Sequence, residues 1–93
     1  MTVDHDLIRH RFSIRLPEGT GVLTYEPLDN RVLDLRHTVV EPAVRSKGMA
    51  DALVRAALAY ARGGGFRIIP TCPYVRVWLA RHPQDADLVV APD

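Results

Sequence analysis

The sequence predicts an α+β domain of element order β-β-β-α-β-α, an antiparallel meander followed by a helix, a parallel strand and a short second helix. Three observations carry this. Residues 9–40 alternate apolar and polar side chains with period two, broken twice by turn-forming residues. After Pro42 the period changes to that of a helix. A Gly triplet then precedes one more short apolar run, and a strand reached through a helix is expected to lie parallel to the strand before it.

Residues 9–16 open the pattern, with Phe12, Ile14 and Leu16 on one face and Arg9, Arg11, Ser13 and Arg15 on the other. Pro17 to Gly21 reads as a turn, Val22 to Glu26 as a second strand, and Pro27 to Asn30 as a second turn. Residues 31–40 form the longest strand pattern. Strict alternation puts Leu33, Leu35, His37 and Val39 on one face, and Val32, Asp34, Arg36, Thr38 and Val40 on the other. Pro42 stops this strand.

Met49, Ala50, Leu53, Val54, Ala57, Leu58 and Ala61 then recur at helical spacing. Ser46 is the expected N-cap, Asp51 suits the first turn, and Gly63-Gly64-Gly65 ends the helix. Phe66 to Ile69 is the parallel strand, ended by Pro70. Residues 74–81 predict a short helix, and Asp87 to Val90 a weak last strand or a tail. No repeat or linker interrupts the chain, so one domain is expected over 1–93, with its core in roughly 9–90.

Composition bounds the function. The 93 residues are 47% apolar, enough for one small core and too few for a separate substrate domain. Twelve basic against eleven acidic residues give a net charge of +1, so neither nucleic acid nor a membrane surface is expected as partner. Cys72 is the single cysteine, which excludes an intrachain disulfide and a paired-cysteine zinc site. His5, His10, His37 and His82 form no convincing metal spacing, so no metal is expected. The N-terminus is too polar for a signal peptide and no apolar run approaches a membrane span. A cytoplasmic protein, monomeric or homodimeric, is the expectation.

Three places carry residues suited to chemistry. Arg45-Ser46-Lys47-Gly48-Met49-Ala50 lies where a strand runs into a helix. Free N–H groups at a helix start bind anions, Gly48 would let a phosphate approach the backbone, and Arg45 and Lys47 add positive charge. A plain helix start with two surface cations reads equally well. Cys72, in Pro70-Thr71-Cys72-Pro73-Tyr74, stands at the start of a helix, where a thiol is activated as a nucleophile. A lone cysteine is nonetheless more often a small core hydrophobe. His37 is either a satisfied core residue or a base beside that thiol, and His82 reads best as a cap on the second helix.

Taken together, these residues resemble a known family. Arg45-x-x-Gly48-x-Ala50 after a strand is similar to the coenzyme A pyrophosphate loop of the GCN5-related N-acetyltransferase (GNAT) superfamily. His37-Thr38, that loop, Ile69-Pro70-Thr71-Cys72-Pro73-Tyr74-Val75 and Arg81-His82-Pro83 resemble, in order, its branch of very small single-domain members. The resemblance covers roughly residues 10–90.

It implies a GNAT-like fold that binds acetyl-CoA where strand three and the 66–69 strand splay apart, and transfers acetyl to an unidentified amine. Thr38, Val39 and Val40 would pair with the pantetheine arm, and residues 45–50 (Arg45, Ser46, Lys47, Gly48, Met49, Ala50) would hold the pyrophosphate. Tyr74 and His82 would border the cofactor, Cys72 is the implied nucleophile and His37 the implied base. Val39 stands where the family often has an acidic residue, and Trp78 where a smaller aromatic is expected. Larger members wall the acceptor site with two N-terminal helices. This chain has no room for them, which implies an open acceptor side or a site completed by a second subunit. The other class of reading is a non-catalytic coenzyme A-binding or sensing module.

Overall fold

The computed structural model describes residues 1–90; the last three residues of the domain expected over 1–93 lie outside them. Five strands form one sheet in chain order: β1 (Asp4–Asp6), β2 (Arg11–Leu16), β3 (Gly19–Leu28), β4 (Val32–Val40) and β5 (Arg67–Pro70). The first four are antiparallel and β5 is parallel to β4. Helix α1 (Met49–Gly64) makes the crossover and α2 (Pro73–Ala80) follows β5. This is the α+β order expected, with one strand more.

Among the described residues only one face of the sheet is covered. Phe12, Ile14, Leu23, Tyr25, Leu33, Leu35 and Ile68 point into a core completed by Met49, Leu53, Val54, Ala57, Leu58 and Ala61 of α1 and Val75, Trp78 and Leu79 of α2. The other face carries Arg11, Arg15, Glu26, His37 and Val39, all exposed.

The extra strand escaped the periodicity because it has three residues, of which only His5 turns toward the core side. His5 stacks on Phe12 with ring centroids 4.0 Å apart, meets Tyr60 edge-on, and lies 2.6 Å from the Tyr25 hydroxyl. Strand β3 starts earlier than expected because Gly19 to Gly21 belong to it, leaving Pro17-Glu18 as the turn. Gly21 is glycine for a steric reason. A Cβ there would come within 2.5 Å of the Met49 sulfur, and Met49 is fully buried. The β3–β4 turn is likewise shorter than expected, Asp29 to Arg31, with Asn30 and Arg31 in left-handed conformation.

The start of α1 differs from expectation. Pro42–Lys47 forms a 3₁₀ segment, anchored by buried Val44, so Ser46 lies inside that segment and does not cap α1. The residue before α1 is Gly48, at φ 74°, a left-handed joint that glycine adopts without strain. At the other end Pro83–Leu88 is a second 3₁₀ segment, and of the weak last strand or tail expected over 87–90 there is one bridge, between Val89 and Ile68. Arg62 ties this segment to α1 through Asp85 and Asp87.

Two outcomes test this packing. Gly21→Ala should lower unfolding free energy by about 1–3 kcal/mol, because the added methyl displaces a core side chain with nowhere to go; urea denaturation measures it. Burial holds the His5 imidazole below its ordinary value, against a smaller opposing pull from Asp6. A lowered value means the folded state prefers neutral His5. Its contribution is therefore complete above the unfolded value of about 6.5 and is lost as pH falls through the folded one. The melting temperature of wild type should drop more than that of His5→Phe between about pH 7 and pH 5.

Candidate active site

The site is made by a strand that loses its neighbour. β5 pairs with β4 only from Val32 to Leu35, the last pair being Leu35 with Pro70. Proline has no N–H to extend the ladder, and the Cys72 amide closes it by donating to the Leu35 carbonyl at 2.9 Å. Beyond that point β4 continues to Val40 with no strand on its β5 side among the described residues. The Thr71 hydroxyl donates to the Asp34 carboxylate and Arg76 reaches back to the Pro70 and Thr71 carbonyls, fixing the turn.

A second irregularity decides which side chains face the opening. Thr24 pairs with His37 but Tyr25 pairs with Leu35, so Arg36 is an extra residue in β4, a β-bulge. Cross-strand partners share a face. Thr38 and Val40 therefore join Leu23 and Gly21 on the helix-covered side, while His37 and Val39 join Thr24 and Val22 on the open side. Strict alternation had grouped His37 with Leu33 and Leu35. The bulge separates them, and His37 is exposed on the face opposite the core. Arg36 leans over Glu26 and Asp34, with its Nε buried and unpartnered among the described residues.

Thr38 thus takes the place expected of His37. The Cys72 thiol donates to its hydroxyl at 3.5 Å. Cys72 itself is 4% exposed, at the residue before α2. It lies in the core and meets the cleft through Thr38, which lines it.

Beside this pair is a cleft of about 350 Å³ lined by Thr38, Val39, Val40, Arg45, Ala50 and Tyr74. One wall is the unpaired end of β4; another is the first turn of α1, whose amides have no partner within the helix. Arg45 donates through Nε to the Val40 carbonyl at 3.2 Å, which holds its guanidinium at the cleft. Above Gly48 an added Cβ would meet nothing within 4 Å, so the backbone there is open to approach.

Not every residue expected around a cofactor is at the cleft. Lys47 reaches 3.2 Å to Glu18 in the β2–β3 turn, and this contact holds the Glu18 carboxyl below its usual range. The Ser46 and Met49 side chains do not line it, Met49 being core. His82 lies elsewhere. Its ring stacks on Trp78 at 3.7 Å and its Nδ1 is 2.7 Å from the Trp78 carbonyl, the helix-capping role that spacing alone suggested.

The residues that sequence reasoning missed are those that make the helix start fit for an anion. Asp51, in the first turn of α1, would repel one. Its carboxylate accepts from the Trp78 indole N–H at 2.8 Å and from Arg55 at 2.8 Å. These bonds, the indole first, hold it below the usual carboxylate range and occupy its charge. Burial pushes the Tyr74 phenol up, with Asp51 adding to it, so Tyr74 serves the cleft as a neutral hydroxyl. Trp78 and Asp51 were each visible in the sequence; the bond between them, across 27 residues, was not.

The sequence model of the GCN5-related N-acetyl-transferase family matches residues 11–88. The chain belongs to this family. It is 36% identical over 83 residues to Protein NATD1 of Mus musculus, covering 87% of this chain and 76% of that protein. It is 35% identical to Protein NATD1 of Homo sapiens, with 87% and 74% covered, and 33% identical to that of Danio rerio, with 89% and 77% covered. The fold is similar to the NMR structure of a GCN5-like candidate N-acetyltransferase from Staphylococcus aureus, at TM-score 0.76 and 21% identity over 99% of this chain and 90% of that one. At that identity the likeness speaks for the fold.

Proposed function

We propose that this chain binds acetyl-CoA in the cleft between β4 and α1 and transfers the acetyl group to an amine. The observation that carries the reading is the cleft itself. An unpaired strand edge, a helix start with unshared amides, and Arg45 converge on one volume of about 350 Å³. An amide-bearing arm can add to a free strand edge as another strand would, and a diphosphate suits helix amides backed by a guanidinium. Membership of the family points to the same cofactor.

In this reading the free backbone of β4 aligns the pantetheine and aims the thioester toward Thr38 and Cys72. Two routes use the same geometry. In the direct route the acceptor amine attacks the thioester carbonyl, the carbon–sulfur bond breaks, and coenzyme A leaves as its thiol after taking a proton from the amine. In the covalent route Cys72 attacks first, its proton passing to the departing coenzyme A sulfur; the amine then attacks the acetyl carbonyl, the bond to the Cys72 sulfur breaks, and the amine's proton returns to that thiol. The bond from Cys72 to Thr38 supports the second, since Thr38 lines the cleft and its hydroxyl holds the thiol directly behind it. With His37 on the far face, a base for that thiol is not His37.

Isothermal titration should give acetyl-CoA binding that Arg45→Ala weakens about tenfold, the loss of one charge-assisted contact, while Lys47→Ala has little effect because Lys47 is held on Glu18. Absence of binding at high micromolar ligand would end this reading. Intact-mass analysis after incubation with acetyl-CoA separates the routes. An acetyl-sized gain that vanishes in Cys72→Ala, together with loss of turnover, is expected for the covalent route; full turnover by Cys72→Ala would leave only direct transfer.

A further inference from the structure

Helix α1 starts without a side-chain cap. Gly48 precedes it and has no side chain to offer, and Ser46 is taken into the 3₁₀ segment. A start of this kind is ordinarily closed by an acid three residues on. From there a carboxylate reaches back to the amide of the residue before the helix, as in the second half of a capping box. Asp51 stands three residues after Gly48, and it makes no such bond. Both of its oxygens are engaged elsewhere. Oδ1 accepts from the Trp78 indole N–H and Oδ2 from the Arg55 Nε, each at 2.8 Å.

The two holds differ in strength. Arg55 and Asp51 are an exposed pair one helical turn apart, and such a pair is weak and screened by salt. Trp78 is only 5% exposed, and its ring lies flat on that of His82 with centroids 3.7 Å apart, so its N–H is fixed in direction. A buried indole also needs an acceptor for that N–H. His82 and Tyr74, the other titratable side chains at this corner, make no hydrogen bond to Asp51. Released from these holds, Asp51 has a favourable place to go. The first amides of α1 have no partner within the helix, and the positive end of the helix draws a carboxylate. Those are the amides that a diphosphate in the cleft needs. Asp51 is already felt there, since it adds to the upward push on the phenol of Tyr74, which lines the cleft.

We propose that Trp78 is a positioning residue for cofactor binding: its indole N–H keeps the Asp51 carboxylate off the Gly48 amide and so keeps the phosphate seat from being filled by the chain's own acid. This rests on the reading of the cleft as an acetyl-CoA site. Trp78 touches neither the diphosphate nor the thioester in that reading; it acts through Asp51 alone. It also gives a reason for an indole at a place where the family's pattern leads one to expect a smaller aromatic. Phenylalanine there would keep much of the packing and offer no donor.

Isothermal titration of the full chain with acetyl-CoA tests this as a double-mutant cycle. Trp78→Phe should weaken binding about fivefold, the worth of one cap bond, and should have no such effect in the Asp51→Ala background. Equal weakening in both backgrounds, or none in either, would overturn the proposal. If Trp78→Phe does not fold, Arg55→Ala, which leaves the core intact, is read in its place at about twofold, with the same two outcomes. The chain without cofactor gives a second readout. In the amide spectrum of isotope-labelled protein the Gly48 proton should move downfield in Trp78→Phe, as that amide takes up a carboxylate, and return when Asp51→Ala is added. A Gly48 amide that stays in place beside normal acetyl-CoA binding by wild type removes only this inference. Wild type that binds no acetyl-CoA, while Gly48 moves as stated, removes the transferase reading and leaves the hold of Trp78 on Asp51 standing.

Discussion

One extra residue in β4 governs the site. A strand pairs on both edges only while its residues keep step with their neighbours, and Arg36 breaks that step against β3. Immediately beyond it, β5 no longer pairs with β4, because Pro70 has no amide to give. The two irregularities fall side by side. The bulge turns Thr38 and Val40 toward α1; the missing partner leaves the same stretch with unpaired backbone. Without the bulge, His37 and Val39 would face the helices, and the thiol of Cys72 would have no hydroxyl beside it.

The helix start depends on a different pair of small residues. Gly21 gives Met49 room to lie flat on the sheet, so the first residue of α1 is anchored in the core. Gly48, one position earlier, needs no such room and is glycine for its backbone angle. Between them they fix where the free amides of α1 stand relative to the end of β4. Trp78 then joins α2 to the same turn through Asp51. The residue preceding α2 is Cys72, so the thiol and the helix start are held to one another by few intermediates.

Much of this was legible in the sequence, and for physical reasons. The meander, the crossover helix and the parallel strand follow from periodicity and from Gly and Pro punctuation, both properties of consecutive residues. The loop from Arg45 to Ala50 and the Pro70 to Tyr74 turn could be found because their residues are contiguous. What stayed hidden is what arises between distant segments. A bulge is a fact about two strands, and strict alternation along one of them assigned His37 to the wrong face. Ser46 was preferred as a cap because nothing local announces that Pro42 begins a 3₁₀ segment in place of a loop. β1 was missed because only His5 of its three residues turns toward the core.

The one-sided sheet separates two kinds of selective pressure. Side chains on the covered face are coupled to the whole core, so a change there is felt as lost stability. Those on the bare face rest mainly on neighbours within the sheet and in water, where most replacements leave folding nearly unchanged. A chain built this way can change its bare face while the core holds the cleft behind it in place. Relatives built on this fold should differ most on the bare face and least where the helices cover the sheet.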